Sequence, residues 1–242
     1  MAWNAGWFAV LGAWYLVVGS ALQAPRTTQL ALQSSAVVDE ATFMVARNGT
    51  PIGRESFRII RAAGSGGQAF RAVATSALGD LRLSSTLSTD SSGTPLSYEL
   101  RLTQRGEQLE FLQGRGRADR LSVLVQTKGG EAAREYLMER GTVLLDDELF
   151  HQFYFVARAA LASSDSTVTV ISPRKALQVQ NRLAFRAMET VAIGGKPIAG
   201  RHFVLSDGAS VRAELWIDAA GRLLKISVPE TALLALRDDP PR

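Results

Sequence analysis

The sequence predicts a mainly β protein: a curved antiparallel sheet, or an unclosed half-barrel, with one central α-helix at about residues 146–162. Three observations carry that prediction. Short alternating apolar stretches follow one another closely, two Asp-x-x-Gly turns sit between such stretches, and a single mid-chain segment has helical spacing.

The N-terminus comes first and differs from the rest. Residues 3–24, WNAGWFAVLGAWYLVVGSALQA, contain no charged side chain. Such a run is a secretory signal peptide or a membrane anchor. Gly19 and Ala21 are small residues at the right offsets for cleavage after Ala21. The sequence is therefore divided into a signal peptide or anchor at 1–21, a polar linker at 22–38 and one β-rich domain at 39–242. The expected location is periplasmic or secreted, in a bacterial cell envelope, with membrane contact only through an uncleaved N-terminal segment. The chain has no Cys, so neither disulfides nor a thiolate metal site can form. About 220 residues suffice to bury one core without cross-links.

Eight strands are expected next, at 41–47, 56–62, 69–78, 81–87, 96–104, 108–114, 120–127 and 134–140. In the first Asp-x-x-Gly hairpin, opposing Asp90 to Gly93 places Leu87 against Leu96, Ser85 against Tyr98 and Leu83 against Leu100. It also sets Arg82 opposite Arg101, a repulsive pair. The same rule at Asp218 and Gly221 sets Leu215 against Leu224, Trp216 against Leu223 and Glu214 against Lys225. A one-residue slip would turn the apolar face outward.

Residues 49–57, GTPIGRESF, recur as GKPIAGRHF at 195–203. Asn48-Gly49 and Gly194-Gly195 are hairpin-turn dipeptides. Pro51 and Pro197 follow the turns, and Gly53 and Gly200 suit bulges. The repeated segment reads as scaffold.

In LDDELFHQFYFVARAALASSD, residues 145–165, apolar side chains fall at 149, 150, 153, 154, 157, 160 and 161. Asp146 is expected to cap this helix, with Asp147 and Glu148 at its positive end. This helix, together with the ending ELWIDAAGRLLKISVP, resembles exported bacterial proteins grouped as domains of unknown function. More distantly, a curved sheet holding a helix is similar to the LolA and LolB lipoprotein carriers. That resemblance implies a hydrophobic cleft able to hold acyl chains.

Chemistry is sparse. The two His, His151 and His202, have no ligand spacing that completes a metal site. No Gly-x-Ser-x-Gly elbow or phosphate-binding loop occurs, and the Gly-rich AGSGGQ at 63–68 reads as a loop. The net charge of +4 is spread without a basic stripe, which argues against nucleic acid. No cofactor, no metal and no catalytic residue are expected. The expected function is binding of a lipid or apolar small molecule between sheet and helix, through Phe150, Phe153, Tyr154 and Trp216. The alternatives are an envelope protein-interaction module whose aromatics are filled core and, behind it, a hydrolase.

Overall fold

The computed structural model describes residues 35–64, 67–163 and 165–241. Fifteen strands form one sheet among them. The first eight make a meander: β1 (Ala36–Arg47), β2 (Thr50–Gly64), β3 (Gly67–Leu78), β4 (Leu81–Asp90), β5 (Pro95–Gln104), β6 (Glu107–Arg117), β7 (Arg120–Thr127) and β8 (Gly130–Leu137). The short β9 (Val143–Leu144) precedes the helix, and a second meander follows it. Its strands are β10 (Asp165–Ser172), β11 (Leu177–Ile193), β12 (Lys196–Ser206), β13 (Val211–Ile217), β14 (Leu223–Val228) and β15 (Leu233–Arg237).

β15 pairs with β1, so the sheet runs from β8 back to β1 and then from β15 back to β9. Neighbours are antiparallel except β9 and β10. The two sheet edges, β8 and β9, are adjacent in sequence, and the sheet does not close by strand pairing. Side chains tie β8 to the β10–β11 hairpin instead. Gln178 donates to the Leu137 carbonyl at 2.6 Å, and Arg134 donates to the Pro173 carbonyl. Bulges in several ladders bend the strands and supply the curvature.

The concave face is packed with Phe43, Phe57, Leu87, Leu100, Phe203, Leu215 and their neighbours. A 3-10 turn, Phe150–Gln152, leads into helix α1 (Phe153–Ala162), which lies against that face. Its buried side includes Ala157 and Ala160, so it is apolar around most of its circumference, as an interior helix must be. The helix starts later than the spacing predicts. Residues 143–145 are drawn into the sheet, where Leu145 N–H donates to the Ile171 carbonyl. Asp146 caps nothing, because its carboxylate is engaged elsewhere.

Each of the eight expected strands overlaps a real one. β1 begins at Ala36, inside the segment read as linker, and residues 1–21 lie outside the described residues. The hairpin registers differ from expectation, and both by the same amount. Leu87 faces Tyr98 and Leu83 faces Leu102. Trp216 faces Lys225 and Leu215 faces Ile226. Asp90 and Asp218 each accept backbone N–H groups two and four residues onward, which enlarges the turn so that it closes at Asp90–Thr94 and Asp218–Arg222. A bulge then adds one more residue of offset. A shift of two keeps every side chain on its expected face. It also separates Arg82 from Arg101, which now faces Ser84.

The turns at Asn48-Gly49 and Gly194-Gly195 have positive φ at both central residues, the mirror-image geometry that matches strand twist. Gly53 sits at a bulge, as expected. Gly200 does not; it lies in regular pairing with Glu189, beside Leu224. The two glycines therefore differ in what a methyl group would meet. At Gly53 a Cβ would fall 1.8 Å from the Ala77 carbonyl oxygen, whereas at Gly200 it would sit 3.2 Å from a Leu224 methyl. Backbone cannot yield as a side-chain end can. Gly53→Ala is expected to cost at least about 2–3 kcal/mol and Gly200→Ala no more than about 1 kcal/mol, read from urea unfolding midpoints. Equal costs would mean that the β2–β3 approach is looser than drawn.

Candidate functional site

The link from β9 to α1 runs through the interior, so its backbone polar groups need partners there. Glu55 supplies them. It lies on β2 between Gly53 and Phe57 on the concave face, and is fully buried. Its carboxylate accepts N–H bonds from Phe150 at 3.1 Å and His151 at 2.6 Å, and the Ser76 hydroxyl at 2.8 Å. The His151 ring nitrogen Nδ1 lies 3.3 Å away. A carboxylate from another strand thus does the work of an N-cap for a turn whose own flanking residue, Leu149, makes no capping bond.

Asp146 is the second buried carboxylate. It accepts bonds from the Tyr98 hydroxyl at 2.8 Å, the Ser172 hydroxyl at 3.1 Å and the Arg174 backbone N–H at 3.0 Å. Its own N–H donates to the Gln152 side chain at 2.7 Å. Burial pushes its pKa up to about 6, and the hydrogen bonds only partly offset that. The Tyr98 phenol is pushed well above its ordinary value, first by burial and then by the Asp146 charge. Arg174 also reaches Glu110 on β6 at 2.9 Å and the Asp147 carbonyl at 3.1 Å.

Beside this segment lies a cavity of about 130 Å³. Leu145, Leu149, Phe150 and Phe153 form one wall, and Val170, Val179, Asn181, Leu205, Ala213 and Leu233 form the other. The rim is charged but paired: Arg47 with Glu148 at 3.7 Å, Lys175 with Asp147 at 3.0 Å, and Arg212 with Glu230 at 3.5 Å. Asp146 and Ser172 contribute to the lining, and both are already bonded to each other. Asn181 is different. Its amide nitrogen donates to the Val179 carbonyl at 3.1 Å, but its Oδ1 is buried with no partner among the described residues.

The structure brings together two of the four residues singled out by sequence. Phe150 and Phe153 line the cavity. Tyr154 packs instead against Phe70 and Phe155, with ring centroids 6.3 and 5.5 Å apart. Trp216 is on the opposite, convex face. His202 stacks on it at 4.2 Å, the Lys225 ammonium lies 3.9 Å from its ring centre, and its indole N–H donates to Glu189 at 2.7 Å. Val191, Ile193 and Leu224 complete a small second core there. Both His are engaged with carboxylates, His151 with Glu55 and His202 with Glu189 at 2.8 Å. The Gly-rich stretch at 63–68 joins β2 to β3, and its residues 65 and 66 lie outside the described residues. Glu55, Asp146 in its real role, and Asn181 were not read from the sequence. The available signal was a polar residue recurring at an inward position of an apolar strand face.

No family model matches the chain, and no curated protein matches it. Among solved structures, it is similar to a β-barrel-like protein of domain of unknown function DUF1849 from Brucella abortus. That likeness has 11% identity and a TM-score of 0.45, over 82% of this chain and 94% of that one.

Two consequences of the buried carboxylates are measurable. Glu55→Ala leaves the Phe150 and His151 N–H groups buried and unpaired, and is expected to cost about 3 kcal/mol or more. Amide exchange at Phe150 and His151 should accelerate well beyond the global change; unchanged relative protection would show that another group anchors the turn. For Asp146 the folded pKa is raised from 3.8 to about 6. Between those values the folded state holds the proton more tightly than the unfolded state. Its contribution therefore becomes more stabilising as pH falls from about 7 to about 4, and levels off outside that window. Wild type should gain up to about 3 kcal/mol relative to Asp146→Asn over this range, measured by denaturant unfolding. A gap that is constant with pH would refute the assignment.

Proposed function

We propose that the chain is an exported binding protein that holds the apolar part of a lipid or other small apolar molecule in the cavity beside Phe150 and Phe153. The observation that carries this reading is the cavity itself: space walled by aromatic and aliphatic side chains beside an otherwise densely packed core. Its size bounds the occupant. An apolar cavity of about 150 Å³ accepts a benzene-sized molecule, and drug-sized ligands occupy roughly 300–1,000 Å³. The space here, about 130 Å³, suits one ring or a short length of chain, with any larger remainder among the rim side chains. Because the rim ion pairs balance, the rim itself does not select a head group by charge. Export rests on the apolar N-terminal run. Binding is preferred to catalysis because the buried Glu55–His151 pair does not line the cavity.

The competing reading is an interaction module with a filled core, and the tight packing of Tyr154 with Phe155 and Phe70 favours it. Toluene and 1-hexanol, one ring and one short chain, separate the two. Titration followed by NMR shifts of residues 145–153 should show saturable binding of at least one probe. Val179→Phe, which fills the space from a half-buried position, should abolish it with little loss of stability. Phe153→Ala should cost clearly less than the about 3–5 kcal/mol of a fully packed Phe. Absence of binding by both probes, with a full core cost at Phe153, would replace the binding reading with the interaction module.

A further inference from the structure

The outer face of the first meander carries a depression that follows from strand register. On β2–β5, Glu55, Ser76, Leu83 and Leu102 point inward and are buried, so the residues alternating with them point outward. Two adjacent rows of strand partners cross that outer face. One row is Arg54, Ala77, Arg82 and Thr103; the next is Ser56, Thr75, Ser84 and Arg101. Small side chains occupy the middle of both rows, and three arginines stand around them. They bound an open depression of about 430 Å³, on the side of the sheet away from the cavity at Phe153.

The lining has one sign of charge: three guanidiniums and no carboxylate. Other exposed arginines of this meander are neutralised, Arg58 by Glu40 and Arg105 by Asp80 at 2.8 Å each, and Arg120 by Glu135 at 3.2 Å. Arg82 and Arg101 are held by neutral groups instead. One Arg82 nitrogen donates to the Gly79 and Leu81 carbonyls at 2.7 and 2.9 Å, and the Arg101 guanidinium lies 5.3 Å from the Phe111 ring centre. Neither has a carboxylate partner among the described residues. Arg54 meets only Asp238, at 3.6 Å. Glu99 belongs to the next row, opposite Thr86. Arg54, Thr75, Arg82, Ser84 and Arg101 are all exposed, so a solute meets them directly.

Such a lining offers N–H forks from three sides above a floor of hydroxyls. Guanidinium forks match the oxygen spacing of a phosphate group, and a tetrahedral oxyanion can address the floor and the surrounding cations together. Three cations in one place do not form the extended stripe that a nucleic acid requires. We propose that this depression is an anion site that takes a phosphate group, whether of a free phosphate ester or of a lipid head group. Arg82 and Arg101 are its main donors, Arg54 is a third, and Thr75 and Ser84 form the floor. The site lies on the other side of the sheet from the apolar cavity and does not rest on the binding function proposed above.

Inorganic phosphate is the first probe, titrated at constant ionic strength and followed by NMR shifts of residues 75–77, 82–84 and 101–103. Saturable shifts are expected there. Arg82→Gln and Arg101→Gln should each weaken binding about three- to fivefold, the worth of one exposed charged contact, and the two together about tenfold or more. Arg120→Gln removes the same charge from a paired arginine on the same face, and should change affinity less than about twofold. Ser84→Leu changes no charge but fills the floor; it should abolish binding with the unfolding midpoint unchanged. Absence of saturation overturns the site. So do equal losses in Arg82→Gln and Arg120→Gln, which would show a diffuse charge effect, and so does unaltered binding in Ser84→Leu. Vesicles of phosphatidylglycerol or phosphatidylcholine then distinguish the two sources. Co-sedimentation that is stronger with phosphatidylglycerol, falls in the double arginine variant and is displaced by inorganic phosphate assigns the site to lipid head groups. The apolar N-terminal run is common to both proteins and cancels in that comparison. Phosphate binding without such a difference assigns the site to a free phosphate ester.

Discussion

The carboxylate of Glu55 is the contact on which the interior arrangement depends. A chain segment that enters a sheet's concave face brings unpaired N–H groups with it, and water is not there to meet them. The turn at Phe150–Gln152 has no side-chain cap of its own. Glu55 satisfies two of its N–H groups from β2, and Ser76 on β3 holds the carboxylate from the other side. Where the helix begins is therefore decided by a residue about a hundred positions upstream. The position of Phe150 and Phe153 on the cavity wall follows from it.

A second constraint joins the two meanders. They meet along β1 and β15, and at that seam Arg237 makes a buried, two-pronged ion pair with Asp39 at 2.7 and 3.1 Å. Arg237 also donates to the carbonyls of Leu223, Glu40 and Asp239. Burying a charge pair is costly unless the remaining donors are used, and here they are. Across the opening, Gln178 and Arg134 tie β8 to the β10–β11 hairpin, and Arg174 of that hairpin reaches Glu110 on β6. The sheet is thus tied firmly in its middle and lightly at its opening, next to which the cavity wall from residue 145 to 153 is hung.

Much of the fold was legible because strand alternation is a local signal. The first eight strands, the two mirror-image turns and the inward faces of both Asp-x-x-Gly hairpins could be read from sequence, whereas β9, β10, β11 and β15 were not assigned from it. Registers could not, since Asp90 and Asp218 each lengthen their turns through side-chain bonds that leave the alternation untouched. The helix start was illegible for a different reason. Asp146 is a favourable capping residue by type, and only the spatial neighbours Tyr98 and Ser172 divert it. Of the aromatics chosen for the site, Phe150 and Phe153 share the cavity. Helical spacing does not reveal which side of a nearly all-apolar helix will be fully packed, so Tyr154 could not be separated from them.

The repeated Gly-x-Pro-Ile segment shows how one scaffold serves two ends. After each turn the strand carries a Phe inward, Phe57 in the first copy and Phe203 in the second. In the first copy Gly53 and its bulge precede Arg54, and Glu55 falls on the same face as Phe57. In the second, Ala199 delays the Gly-Arg pair by one place, and His202 immediately precedes Phe203. Adjacent residues on a strand face opposite ways. His202 is therefore turned outward onto Trp216, while Glu55 is turned inward onto the helix start. A displacement of one residue decides whether the polar group after the Gly-Arg pair braces the interior or the convex surface. Glu55 and Asp146 were given inward positions with donors waiting for them, and they hold the wall of the cavity in place.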